Sequence, residues 1–418
     1  MDFVSMLKPF DCTCGKRHSC GIRHIHIGKN ALSALPETVK DYKKILLVAD
    51  PNTFAVCGEQ VESLLGEKRY ETLILRRDGV LIPNEQAIAE VEEKLTGQTD
   101  YILGIGSGVI QDLCKYVSFY HKLPYGVVCT ATSMDGYASV GAAMITDNMK
   151  VTYSCRVPEM LIGDVDVLKT APMDMIRAGY GDILGKYSCL NDWKLSALVR
   201  DEDFCQYVYD MIYDMLLRTR DLGTKLQQRD EEAITTLMEA IIGVGIAMAY
   251  VGSSRPASGS EHHLSHYFEI TGILNEEPYL MHGTDVVYST VYTQKLREEL
   301  LKLERPVSRG GHNRQDWETA IREIYTDAAD GIIALQDKLG WYEQDRLPVY
   351  EAKWQQIQDV LAEVPSCDTI KAYIESVGLD LKEFETIYSK EKIDNALFYA
   401  KDLKDRYSVL WMYYDLMK

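Results

Sequence analysis

Tyr101-Ile102-Leu103-Gly104-Ile105-Gly106-Ser107-Gly108 passes from an apolar run through three glycines into the helix-period stretch 109–119. A short apolar run closed by glycine reads as a buried strand, here ending at Gly104. Because glycine lacks a Cβ, backbone N–H groups in such a turn can approach a ligand closely, and the N-terminus of the next helix favours negative charge. A pyrophosphate suits that arrangement. The spacing is GxGxG rather than the six-residue GxGxxG fingerprint, so a plain tight strand-to-helix turn accounts for it equally well. Asp112 and Lys115 lie on the helix.

Outward from this turn the same alternation repeats. Residues 44–50 (KILLVAD), 71–75 (ETLIL) and 125–129 (YGVVC) read as strands, and 55–65 and 84–95 as helices, the second opened by Pro83 and Asn84 and stopped at Gly97. Strands alternating with helices imply an open, mostly parallel α/β sheet. Residues 150–168, broken at Pro158, hold its last strands. Beyond that point helical periodicity dominates. The expected division is therefore 1–166 as a dinucleotide-binding α/β domain and 167–418 as an all-helical metal- and substrate-binding domain. A chain of 418 residues is long enough for two cores.

Composition excludes several partners. The net charge of −18 argues against nucleic acid, whose phosphates need clustered Lys and Arg, while leaving room for a small phosphate ester in a local basic pocket. No run of about 18 apolar residues is apparent, so no membrane span is expected. The first 20 residues lack the apolar core of a signal peptide, and ten irregularly spaced cysteines fit reduced thiols, so a cytoplasmic location is expected. Cys12, Cys14, His18 and Cys20 can be read as a metal cluster, but they lack the CxxC spacing of structural zinc sites, and a reduced, partly ordered N-terminal arm is the preferred reading.

Four groups of residues invite a chemical role. Asp50, closing the strand 44–50, stands where dinucleotide-binding sheets place an acidic group on the ribose hydroxyls, favouring NAD(H) over NADP(H); a helix cap explains it equally well. The hydroxyl-rich loop Thr130-Ala131-Thr132-Ser133-Met134-Asp135-Gly136-Tyr137-Ala138-Ser139 follows a strand at the ligand-binding edge of such a sheet, with Asp135 able to hold a substrate hydroxyl or close a turn. Asp182, behind Gly179 and Gly181, is a candidate ligand or a helix cap. Finally, His262, His263, His266 and His282 lie close together in sequence. His262 and His266 share a helix face, His263 is turned about 100° away, and His282 follows a turn that folds the chain back. Neutral imidazole is a common metal ligand, which makes His262 and His282, with Asp182 as a third donor, a candidate metal site.

In order and spacing, GxGSG, TATSMDG, GYGD, RPASGSEHHLSH and MHG resemble the glycerol-1-phosphate dehydrogenases, especially their bacterial branch, over roughly residues 25–300. That group sits in a wider superfamily with glycerol dehydrogenase, iron-type alcohol dehydrogenases and 3-dehydroquinate synthase. The resemblance implies a dehydroquinate synthase-like fold and a metal held by Asp182, His262 and His282, zinc or nickel. It places the pyrophosphate on Gly104, Gly106, Ser107 and Gly108, the nicotinamide end on Thr130 and Ser133, a substrate hydroxyl on Asp135 and the substrate phosphate on Arg255 and His266. For Arg255 the bland alternative is an ion pair with Glu261. The implied reaction is NAD(P)H-linked reduction of dihydroxyacetone phosphate to sn-glycerol 1-phosphate by a homodimer. A polyol dehydrogenase, a cyclising synthase and a non-catalytic metal-binding protein are the rivals. The synthase pattern has a glutamate ligand and a lysine after the loop aspartate, whereas this chain has Asp182 and GYASVGAAM.

Overall fold

The computed structural model describes residues 1–67, 69–146, 149–308 and 310–417. Ten strands are defined among the described residues: β1 Phe10–Asp11, β2 Arg17–His18, β3 His24–Gly28, β4 Lys44–Ala49, β5 Arg69–Ile74, β6 Tyr101–Gly106, β7 Tyr125–Cys129, β8 Gly141–Thr146, β9 Met149–Ser154 and β10 Met160–Asp164. Six of them form one parallel sheet in the order β3-β10-β7-β6-β4-β5, as the alternating pattern predicts. β1 with β2 and β8 with β9 form two antiparallel hairpins, of which the first lies in the segment read as an arm. Strands β6 and β7 are buried throughout, and β4 is buried after Lys44, which is why their sequences are continuous apolar runs.

Strand order sets the position of the ligand edge. From β4 the chain moves outward to β5, then returns to place β6 on the other side of β4, so the connections diverge between β4 and β6. Ala49 pairs with Ile105 in register, which sets Asp50 and Gly106 side by side at the carboxyl ends of their strands. Such a switch point is where open α/β sheets bind ligands.

Helix α1 (Pro51–Leu65) starts four residues earlier than the expected 55 because Asp50 and Thr53 form a reciprocal capping box with proline in the first turn. α2 is Glu85–Lys94 and α3 is Gly108–Tyr120. The helices used below are α4 Met173–Leu184, α5 Lys186–Arg200, α6 Gln206–Thr219, α7 Glu231–Val251, α8 Ser260–Asn275 and α9 His282–Leu301; further helices follow in residues 314–417.

Two compact units emerge, 1–183 with 217–254 and 184–216 with 255–418. The sheet ends at Asp164, near the expected boundary of 166, but the following helix α4 and the long helix α7 pack with the sheet unit, so the division is discontinuous in sequence. The second unit is helical, with no strand among its described residues. One expectation needs correction: α7 is long and apolar enough to cross a membrane. However, 72% of its apolar window is buried inside the protein, which makes it a core helix.

Candidate active site

At the sheet edge, β6 runs two residues further than the expected end at Gly104, so Gly106 is a strand residue as well. A Cβ there would come within 3.0 Å of the Cys114 sulfur, and one on Gly106 within 2.6 Å of Ile110. These two glycines let α3 lie close on β6, and the turn proper is Gly106-Ser107-Gly108. Asp50 is a cap, as the alternative reading had it: its Oδ1 accepts from the N–H groups of Asn52 and Thr53 at 2.8 and 3.1 Å. Both bonds fall on one oxygen.

The loop 130–141 is held by polar groups on α3 that sequence reading placed on the helix without a role. Lys115, fully buried, donates to the carbonyls of Gly136 (3.1 Å) and Gly141 (2.6 Å) and to Ser139 Oγ (3.3 Å), and it faces Asp112 at 3.5 Å. Burial pushes its ammonium below the ordinary value, against the pull of Asp112. Gln111 donates to the Tyr137 carbonyl, and Asp112 accepts from the Ala143 N–H. Tyr137 closes the loop by donating to the Ala131 carbonyl at 2.8 Å.

Thr130 and Asp135 are buried in this loop, and Ser133 is half-buried. The Asp135 N–H donates to Asp182 Oδ2 at 2.9 Å, so the loop and the candidate ligand on α4 are fixed to each other. Gly179 permits this. A Cβ at that position would sit 1.7 Å from the Thr132 carbonyl oxygen, closer than any side chain allows.

In the helical unit, His262, His266 and His282 converge. Their ring centroids are 6.2 Å (His262–His266), 5.1 Å (His262–His282) and 5.6 Å (His266–His282) apart. The chain reversal expected between α8 and α9 brings His282, the first residue of α9, back onto the face carrying His262 and His266. His262 Nδ1 donates to Glu261 Oε1 at 2.6 Å, and His282 Nδ1 lies 3.3 Å from Ser265 Oγ. A neutral imidazole donating from Nδ1 carries its lone pair on Nε2, the arrangement in which an outer carboxylate orients a metal-ligating histidine. Burial pushes the Glu261 carboxyl up, but His262 and the Gly259 N–H more than offset this and hold it below the ordinary value.

The start of α8 is built from outside the helix. Its N-cap is Gly259, which offers no capping side chain. Instead Asp192 on α5 accepts from the Ser260 N–H at 2.7 Å, and Glu261 accepts from the Gly259 N–H at 2.9 Å. A Cβ on Gly259 would press to 2.7 Å on Asp192 Oδ2. Asp192 is fully buried and paired with the equally buried Arg297 at 2.7 Å. Sequence reading gives neither residue a role, since a carboxylate and a guanidinium 105 residues apart carry no local signal.

Arg255 is buried. Its ion-pair partner is Glu202 at 2.7 Å, not Glu261, and its Nη2 donates to the carbonyls of Asp192 and Tyr407 at 3.0 Å each. His263, on the other side of α8, is fully buried, and neither ring nitrogen has a hydrogen-bond partner among the described residues. Burial, with Lys404, Arg406 and Arg255 nearby, pushes it well below the ordinary histidine value and keeps it neutral.

This fold and this polar equipment define a class. The chain aligns with the NADH-dependent butanol dehydrogenase A of Thermotoga maritima at a TM-score of 0.58 and 16% identity, covering 94% of this chain and 90% of that one. It aligns with glycerol dehydrogenase of Schizosaccharomyces pombe at a TM-score of 0.54 and 16% identity, covering 93% of each. At such identity the likeness establishes the fold. Residues 26–172 also match the sequence model of a family described as iron-containing alcohol dehydrogenase.

Within that class, the chain belongs to the glycerol-1-phosphate dehydrogenase family. It is 31% identical over 408 residues to glycerol-1-phosphate dehydrogenase [NAD(P)+] of Halalkalibacterium halodurans, covering 96% of this chain and 94% of that one. The corresponding protein of Geobacillus thermodenitrificans is 30% identical over 383 residues, covering 90% and 88%.

Proposed function

We propose that this chain is an NAD(P)H-linked oxidoreductase that reversibly reduces dihydroxyacetone phosphate to sn-glycerol 1-phosphate. The observation that carries this reading is the convergence of His262, His266 and His282 on one face, with Glu261 orienting His262. On the family resemblance the ligands are Asp182, His262 and His282, and a carboxylate with two imidazoles suits a divalent cation with open positions. When bound, the ion supplies Lewis-acid polarisation of a carbonyl, and the nicotinamide supplies hydride.

The chain's own residues do the rest. Backbone N–H groups at Gly106, Ser107 and Gly108, and the N-terminus of α3, receive the pyrophosphate, with Gly104 admitting the helix behind them. Asp50 Oδ2 meets a ribose hydroxyl, and Thr130 and Ser133 line the nicotinamide end. Asp135 accepts a substrate hydroxyl, and its N–H fixes Asp182. His266 binds the phosphate with Arg255, whose bonds to Glu202 and two carbonyls also make it a strut. Binding a remote phosphate orients the carbonyl, and that orientation is what lowers the barrier. Zinc or nickel as the ion, a homodimer and a cytoplasmic location belong to the same reading and rest on family resemblance alone.

The test is substrate discrimination. Metal-stripped protein reloaded with zinc, nickel or iron should oxidise NADH or NADPH with dihydroxyacetone phosphate far faster than with dihydroxyacetone. His266→Ala should remove most of that difference by raising KM for the phosphorylated substrate. Equal rates on the two substrates would point to a polyol dehydrogenase, and no turnover with any metal would refute an enzymatic reading.

A further inference from the structure

The N-terminal hairpin contains a cluster that the proposed reaction does not use. After β1 the chain turns tightly at Cys12-Thr13-Cys14-Gly15. The Cys12 N–H donates to the Lys16 carbonyl at 2.9 Å, and the Gly15 N–H donates to the Cys12 carbonyl at 3.0 Å. Gly15 has φ of +82°, a conformation that other residues rarely adopt, so the turn depends on it. Phe10 pairs with His18 across the hairpin. The result brings Cys14 Sγ to 3.4 Å from His18 Nε2 although four residues separate them.

His18 is held with unusual completeness for a residue in a two-residue strand. It is 1% exposed, its ring stacks on Tyr250 at 5.4 Å, and Phe10 meets its edge at 5.4 Å. Its Nδ1 lies 3.0 Å from the Tyr250 carbonyl oxygen, which only accepts. Nδ1 therefore carries the proton, and the lone pair of the neutral ring sits on Nε2, facing sulfur. A ring oriented by a carbonyl on one nitrogen and aimed at thiols with the other is the outer arrangement of a metal-ligating histidine.

We infer that Cys12, Cys14 and His18 form a second metal site, built within the hairpin, that takes zinc. The ligand atoms of these three residues lie within 4.8 Å of one another. Neither Cys12 nor Cys14 is part of a disulfide. Cys20, which sequence spacing grouped with the hairpin thiols, is not in the set. Two soft thiolates and one imidazole select zinc over hard cations. On binding, each thiol releases its proton to solvent as its sulfur–metal bond forms, with no change of oxidation state. The site shares no ligand with Asp182, His262 and His282, so it stands whether or not the catalytic reading does.

Cobalt substitution tests this on the full-length protein, purified under reducing conditions and reloaded with Co²⁺ alone. Thiolate ligands give an intense sulfur-to-cobalt charge-transfer band in the near ultraviolet, and a site of one carboxylate and two histidines gives none. The band should appear in the wild type, persist in His262→Ala, and be lost or reduced severalfold in Cys12→Ser and Cys14→Ser. Metal analysis after zinc loading should give two ions per chain for the wild type and one for each of these three variants. Absence of the band in wild-type protein with reduced thiols, or its full persistence in both serine variants, would overturn the proposal. So would a disulfide among these cysteines in protein isolated without metal. Loss of catalysis in His262→Ala with the band intact would separate the two sites.

Discussion

The loop 130–141 and the start of α8 pose opposite problems, and the protein answers each with a buried charge of opposite sign. The loop turns carbonyl oxygens inward, and buried Lys115 donates to two of them. Helix α8 begins at a glycine with its N–H groups uncapped, and buried Asp192 accepts from Ser260. Segments that must present side chains for chemistry cannot also satisfy their own backbone, so a neighbouring helix supplies the charge. The difference lies in what balances that charge. Asp192 has a fully buried partner in Arg297, whereas Lys115 relies mainly on backbone oxygens, with Asp112 at 3.5 Å.

That contrast orders the expected effects of substitution. Asp192→Ala strands Arg297 and uncaps α8, so it should cost about 3–5 kcal/mol, the loss typical of breaking a buried ion pair. Denaturant unfolding should show it, together with weakened metal binding at the histidine site. Lys115→Met keeps the bulk but leaves two inward carbonyls without their donor, for a loss of about 2–3 kcal/mol. Nicotinamide binding should weaken with it, because the loop carrying Thr130 and Ser133 loosens. If Lys115→Met proved the costlier of the two, the balancing role of Arg297 would be wrong.

Smaller steps sharpen the same comparison. Gly179→Ala drives a methyl into the Thr132 carbonyl and should cost about 1–3 kcal/mol as an overpacked contact. Its activity should fall further than its stability, since Asp182 and Asp135 shift together. Asp50→Ala removes a helix cap worth about 1 kcal/mol. On the proposed ribose contact it should also raise KM for NADH more than for NADPH, a shift that a cap alone would not produce.

The sheet was readable because parallel strands buried on both faces are written as unbroken apolar runs, as in residues 44–49 and 125–129. The histidine face was readable because His262 and His266 are one helical turn apart. Asp192, Arg297, Lys115 and Glu202 were not, because their roles depend on partners far away in the chain. The N-terminal hairpin was only partly legible. Sequence groups Cys12, Cys14, His18 and Cys20 alike, while the fold brings His18 to 3.4 Å from Cys14. Gly104 was assigned to the cofactor by motif, and its observed neighbours Cys114 and Ile110 show that close packing of α3 also requires it.

The most direct test of the central claim is a metal titration followed by NADH absorbance. Metal-stripped protein, in a Cys14→Ser background so that only the histidine site binds, receives zinc or nickel in the presence of dihydroxyacetone phosphate. Turnover should rise from baseline and saturate at one ion per chain, and the same titration of protein also carrying His282→Ala should stay at baseline. Full turnover in the stripped protein, or undiminished turnover with His282→Ala, would contradict the assignment of Asp182, His262 and His282 to a catalytic ion.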